Sequence, residues 1–179
     1  RVWQPQIDAL NDAWDCRVPD YDFADDLGAM ADHVLNEAPE TFALAGHSMG
    51  GRVALEVIRR APERVLRLAL LDTGYKALAD GDAGEREVAG RRRLVELAQR
   101  EGTKAMGEDW VQGMVPPDRL SDQPLINAIV EMIGSKTVAT FERQIHALIH
   151  RPDATEVLEA ATMGGAVASI EYMKGRLVD

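Results

Sequence analysis

The chain has 179 residues, 46% hydrophobic and 28% charged, with a formal net charge of -10. That length suits one main domain with a core built without disulfides or metals, and no apolar stretch approaches the roughly 20 residues a membrane helix requires. The acidic balance argues against nucleic-acid or anionic-membrane partners, which need clustered Lys and Arg; the single cysteine, Cys16, has no internal partner and no secretory pattern is evident, so the expected location is the cytoplasm.

In chain order, Arg1 to Ala13 carries helical spacing at Val2, Ile7 and Leu10, and Asp15 to Asp20 is expected as a very short strand entering a loop at Pro19. Between Asp25 and Glu37, Leu27, Met30, Ala31 and Val34 recur at i, i+3, i+4 and i+7, which places His33 on the solvated side of a helix ending before Pro39. Thr41 to Ala45 is a brief apolar run. A second helical stripe follows between Gly50 and Arg60, and Val65 to Leu71 reads as a strand buried on both faces of a parallel sheet. Strand, helix, strand, helix, strand is an α/β pattern.

Beyond Gly74 the pattern changes. Glu85 to Arg100, Thr103 to Met114, Pro124 to Ile133 and Val138 to Ile149 all carry helical spacing, punctuated by Gly102, Pro116-Pro117 and Gly134-Ser135. The expected division is an α/β core over 1–74, a helical cap over 75–151 and a return segment to the core over 152–179. The basic run Arg91-Arg92-Arg93 is flanked by acids and reads as a solvated helix face. The tail beyond Ala160 fits a helix through Ala166, Ile170, Met173 and Leu177, while Val167 to Met173 also fits a strand.

The segment of greatest chemical interest is Gly46-His47-Ser48-Met49-Gly50, a G-x-S-x-G motif where an apolar run turns into a helix. A serine at the tip of a sharp strand-to-helix turn has its hydroxyl held out in a strained conformation. Small residues at Gly46 and Gly50 let the neighbouring backbone pass closely. The following helix points its N-terminus at the same spot, so the Met49 N–H and the helix dipole suit an oxyanion. A phosphate loop would want Lys followed by Ser or Thr, and neither is present.

On the segments RVWQPQIDAL, CRVPDY, LAGHSMGGRVALE, RVLRLALLDTG and RPDATEVLEA, the chain resembles the α/β-hydrolase superfamily, in particular its capped serine esterases. The resemblance implies an acyl-enzyme formed at Ser48 from a carboxylic ester or thioester, with Met49 supplying one oxyanion donor and with no metal or organic cofactor. Its other implied parts, an His-Gly oxyanion loop before Arg1 and a triad acid and histidine beyond about Ala160, have no match in the sequence, which therefore reads as truncated at both ends. Little hydrolytic turnover is expected from these residues alone, and an exposed sheet edge would favour self-association.

Substitutes for the missing partners are few. His47 and Trp110 are candidates for the pocket; Met106 and Met114 share the Trp110 helix face and read as core. His146 and His150 are expected to be structural, and Asp72 to form a turn with Thr73 and Gly74, although some family members take their acid near that position. Two rivals stay open: other chemistry on the same fold (haloperoxidase, carbon–carbon cleavage or menaquinone-synthase type), and a non-catalytic interaction module that has shed the triad.

Overall fold

The structure, a computed structural model, describes residues 2–163. A short helix, α1 (Gln4–Leu10), leads through an irregular stretch to α2 (Leu27–Glu37), after which β1 (Phe42–His47), α3 (Met49–Arg60) and β2 (Val65–Leu71) form a β-α-β unit. Four helices follow: α4 (Gly81–Glu101), α5 (Thr103–Met114), α6 (Gln123–Gly134) and α7 (Val138–Ile149); then α8 (Thr155–Met163) returns to the core.

Local chemistry sets these boundaries. Asp26 caps α2 by accepting the Ala29 N–H at 2.9 Å, and Asp122 and Thr137 do the same for α6 and α7. Gly102 separates α4 from α5 at φ 88, a left-handed conformation that a glycine adopts without steric cost. The Arg64 guanidinium gathers the carbonyls of Leu35, Ala38, Pro39 and Glu40. It thereby satisfies the open C-terminal end of α2 and fixes the turn into β1.

The two strands pair in parallel, with Ala43 opposite Arg67 and His47 opposite Leu71. Their ends therefore lie side by side at one edge of the sheet. One cluster buries α2, α3, the strands and α8 together, with Met30, Leu55 and Val57 almost fully enclosed. Helix α3 sits at its centre, covered so thoroughly that Glu56 is only 5% exposed; Arg59 and Arg60 pair with its carboxylate at 2.9 and 2.6 Å. Leu94, Ala98, Met106, Phe141 and Ile145 form a second cluster joining α4, α5 and α7, and Val111, Val115, Ile126 and Val130 a third joining α5 and α6. The four helices thus have their own interior, built on the periodic stripes of their sequences.

Three expectations are corrected. Asp15 to Asp20 forms no strand, because no described segment pairs with it. Val65 to Leu71 is not buried on both faces: Leu66 is 60% exposed, and among the described residues β1 is the one strand hydrogen-bonded to β2. His33 is not solvated; it is half-buried and packs edge-on against Phe23, with ring centroids 5.0 Å apart, and its Nε2 lies 3.4 Å from Glu37. The helix-or-strand alternatives for Ala166 to Leu177 lie outside the described residues. None of the described helices is long and apolar enough to cross a membrane.

Candidate active site

Ser48 occupies the single residue between β1 and α3, at φ 51 and ψ -120. A side chain there is strained, and such conformations persist only where surrounding contacts enforce them. Here the contacts are explicit. The Ser48 N–H donates to the Leu71 carbonyl at 3.0 Å, continuing the ladder one step beyond β1. Its carbonyl accepts from the Gly51 N–H at 3.0 Å and from the Thr73 hydroxyl at 2.6 Å. The bend is therefore pinned from the strand, from the helix and from the loop after β2.

Of the two motif glycines only Gly46 is sterically required, together with Gly51 just after the motif; contrary to expectation no backbone passes close to Gly50, where a Cβ would meet only the Tyr21 hydroxyl at 3.6 Å. A Cβ on Gly46 would collide with the Gly50 carbonyl oxygen and lie 2.6 Å from the Gly51 Cα. On Gly51 it would meet the Thr73 side chain. No protein group among the described residues hydrogen-bonds the Ser48 side chain, so its hydroxyl is free to meet a ligand. Met49 is the first residue of α3, and the first amides of a helix have no acceptor within it, so this end presents open N–H donors and the positive end of the dipole.

Two side chains stand beside Ser48 at the strand ends. His47 closes β1 and Asp72 follows β2, with His47 Nε2 4.0 Å from Asp72 Oδ2 and both substantially exposed. Asp72 is itself at φ 46, so the loop it begins is the second left-handed bend at this edge. Asp72 forms a bend that leads into an irregular segment rather than a hydrogen-bonded turn, and Thr73 holds Ser48 from it.

The other candidates lie elsewhere. Trp110 is half-buried in the interior of the four helices, edge-on to Phe141 at 5.7 Å, with Met106 fully buried in the same cluster; Met114 is exposed. His146 holds the Asp25 carbonyl through Nδ1 at 3.0 Å, and His150 stacks on it at 4.1 Å while capping the end of α7. A cleft of about 980 Å³ runs between α1 and the α5–α6 pair, lined by Val2, Pro5, Val111 and Ile126 among others, but no residue of the Ser48 bend borders it. Among the described residues no cluster of His, Cys, Asp and Glu is arranged to hold a metal.

Where the chain leaves the α/β unit for the four helices and where it returns, the two crossings are fastened together. The Ala154 N–H donates to the Tyr75 carbonyl at 2.8 Å, and the Lys76 carbonyl accepts from Arg52 at 2.9 Å and from Arg151 at 3.2 Å. Arg151, 7% exposed, also grips both Glu87 oxygens at 2.7 and 2.8 Å, and Arg91 adds a third contact to the same carboxylate. Burial works against the charge on Glu87, but hydrogen bonds from Arg151 and Arg91 hold its carboxyl below the usual range. Burial pushes Arg52 down to about 10, with Arg151 and Arg91 adding like-charge repulsion against the attraction of Glu87.

A parallel β-α-β unit with a strained serine at the strand-to-helix bend, joined to a four-helix insertion, is the architecture of an α/β-hydrolase core. The chain belongs to the thioesterase-domain family, whose profile matches residues 19–164. It is 33% identical over 87 residues to a pimeloyl-[acyl-carrier protein] methyl ester esterase of Vibrio campbellii, a match covering 44% of this chain and 34% of that one. In three dimensions it is similar to a thermophilic esterase of Thermogutta terrifontis, with a TM-score of 0.69, 24% identity, and coverage of 87% of this chain and 61% of that one. A carboxylesterase structure from Nitrososphaera gargenis gives the same TM-score at 18% identity, covering 89% and 63%. The chain thus spans about a third of the length of the curated relatives it matches and about three fifths of these solved structures.

Thr73 was read from sequence only as part of a turn with Asp72 and Gly74, and neither Tyr21 nor the Arg151–Glu87 pair was given a role. A signal existed for Thr73, which falls two residues past the end of the Val65–Leu71 strand, where sheet-edge sites gather. Nothing local pointed to the other two.

Proposed function

We propose that this chain carries the nucleophile of an ester or thioester hydrolase, with Ser48 attacking the substrate carbonyl. The Ser48 oxygen bonds to the acyl carbon, and the carbonyl becomes an oxyanion facing the Met49 N–H. The alcohol or thiol then leaves with the serine proton, and water cleaves the resulting acyl-enzyme to the free acid, restoring the hydroxyl. The observation carrying this reading is the Ser48 conformation: φ 51 at a strand-to-helix junction, pinned on three sides, with an unpartnered hydroxyl. Strain of this kind costs stability and is kept where it aims a reactive group.

In this reading α4–α7 form a cap over the site, with the fastened crossings at Tyr75–Ala154 as its base. His47 belongs to the pocket wall. Membership of the thioesterase-domain family and the esterase likenesses support ester or thioester substrates. The test uses the full chain and an alkyl fluorophosphonate, read by intact mass and peptide mapping. Expected is one covalent adduct, on Ser48, lost in Ser48→Ala. An adduct elsewhere, or one that survives Ser48→Ala, overturns the assignment.

A further inference from the structure

The loop between Pro19 and Asp26 is held from the helical segment rather than left to solvent. Asp22 receives Lys136 Nζ at 2.6 Å and Gln144 Nε2 at 3.4 Å on its carboxylate, and Arg143 Nε at 2.8 Å on its carbonyl. Within the loop the Asp22 N–H donates to the Asp20 side chain at 3.0 Å, and the Ala24 N–H to the Tyr21 carbonyl at 3.0 Å. His146 fastens the Asp25 carbonyl just beyond. Lys136 from the α6–α7 connection, Arg143 from α7 and two turn hydrogen bonds thus fix the backbone on either side of Tyr21.

The Tyr21 ring is half-buried against the core cluster, and its hydroxyl reaches the first turn of α3: a methyl placed on Gly50 would lie 3.6 Å from it. Gly50 is two residues past Ser48. No described residue hydrogen-bonds that hydroxyl, and it is not sealed from solvent. A phenol so placed loses ring entropy and part of its hydration without gaining a protein partner, which is an arrangement favoured where a ligand supplies the partner. Burial, and then the charges of Asp22 and Asp20, hold the phenol above its ordinary value, so it keeps its proton, and with it the capacity to donate, through the neutral range.

We propose that the Tyr21 hydroxyl donates a hydrogen bond to an oxygen of the ester or thioester bound at Ser48, over the first turn of α3. This rests on the reading of Ser48 as nucleophile. The Asp22 grip then gives the helical segment a part in the site: it sets where the donor stands.

The test measures the second-order rate at which an alkyl fluorophosphonate modifies Ser48 in the full chain. In that reaction the serine oxygen bonds to phosphorus, fluoride leaves and the serine proton passes to solvent, while the phosphoryl oxygen takes the place of the ester carbonyl oxygen. Tyr21→Phe should slow it about tenfold, the weight of one lost neutral hydrogen bond, with the urea midpoint unchanged. Gly50→Ala should slow it as well, since its methyl makes ordinary contact with the hydroxyl and fills the space where the substrate oxygen would sit. A wild-type rate in folded Tyr21→Phe overturns the proposal. Absence of any Ser48 adduct in the wild-type chain overturns instead the reading of Ser48, and this one with it.

Discussion

Replacing Ser48 by glycine and by alanine separates the cost of the bend from the chemistry of the hydroxyl. Ser48 lies at φ 51 and ψ -120, where a residue with a Cβ carries strain of about 1–3 kcal/mol. Glycine escapes that strain but loses about 0.5–1 kcal/mol more conformational entropy on folding. Taking the middle of each range leaves a net gain of about 1 kcal/mol for Ser48→Gly. Ser48→Ala keeps the Cβ and removes a hydroxyl with no protein partner, so it should match the wild type. With a urea slope of about 2 kcal/mol/M, the glycine variant should unfold about 0.5 M later than the alanine variant. Equilibrium urea unfolding followed by circular dichroism reads the difference directly. A glycine variant no more stable than the alanine variant would refute the claim that this bend is strained.

Two further outcomes follow from packing and charge. Gly46→Ala forces a Cβ against the backbone of Gly50 and Gly51 and should cost about 2–3 kcal/mol, a urea midpoint lower by about 1 M, along with loss of Ser48 labelling; an unperturbed variant would mean the elbow tolerates widening. Glu87→Gln leaves the buried Arg151 guanidinium without its counter-charge and should cost about 2 kcal/mol at pH 7, less than a fully buried pair because Glu87 is partly exposed. Because the folded state lowers the Glu87 value, that stabilisation is complete above about pH 4.5 and is lost as the pH falls through the lowered folded value. Unfolding curves across pH 3–7 should therefore show wild type and variant converging at the acid end; a constant gap would mean that the carboxylate charge is not what binds the two segments.

What could be read from residue order was whatever repeats locally. The bounds of Val65–Leu71, Thr103–Met114 and Val138–Ile149 match the structure, the second being set off by Gly102 at its start and by the Pro116-Pro117 pair just past its end. Ser48 was legible because G-x-S-x-G and its strand-to-helix setting are both short-range features. Strand status for Asp15 to Asp20 failed because pairing is a property of two segments, and composition describes only one. The grip of Lys136 and Arg143 on Asp22, more than a hundred residues away, has no periodic signature. Arg91 was sorted with its neighbours as a solvated face; Arg92 and Arg93 are exposed, whereas Arg91 turns to the Glu87 carboxylate that Arg151 also binds. Tyr21 stayed hidden for the same reason: its importance comes from what the fold brings over Gly50.

The hydrogen bond between Tyr75 and Ala154 bears on how this architecture diversifies. Since the excursion from the sheet begins and ends one peptide contact apart, everything between is topologically a stem-loop. The four helices can be lengthened, shortened or exchanged for another set without threading new chain through the interior, because the stem alone must be conserved in geometry. On the proposed reading of α4–α7 as a cap, selectivity can thus drift quickly in the loop while the Ser48 bend stays fixed.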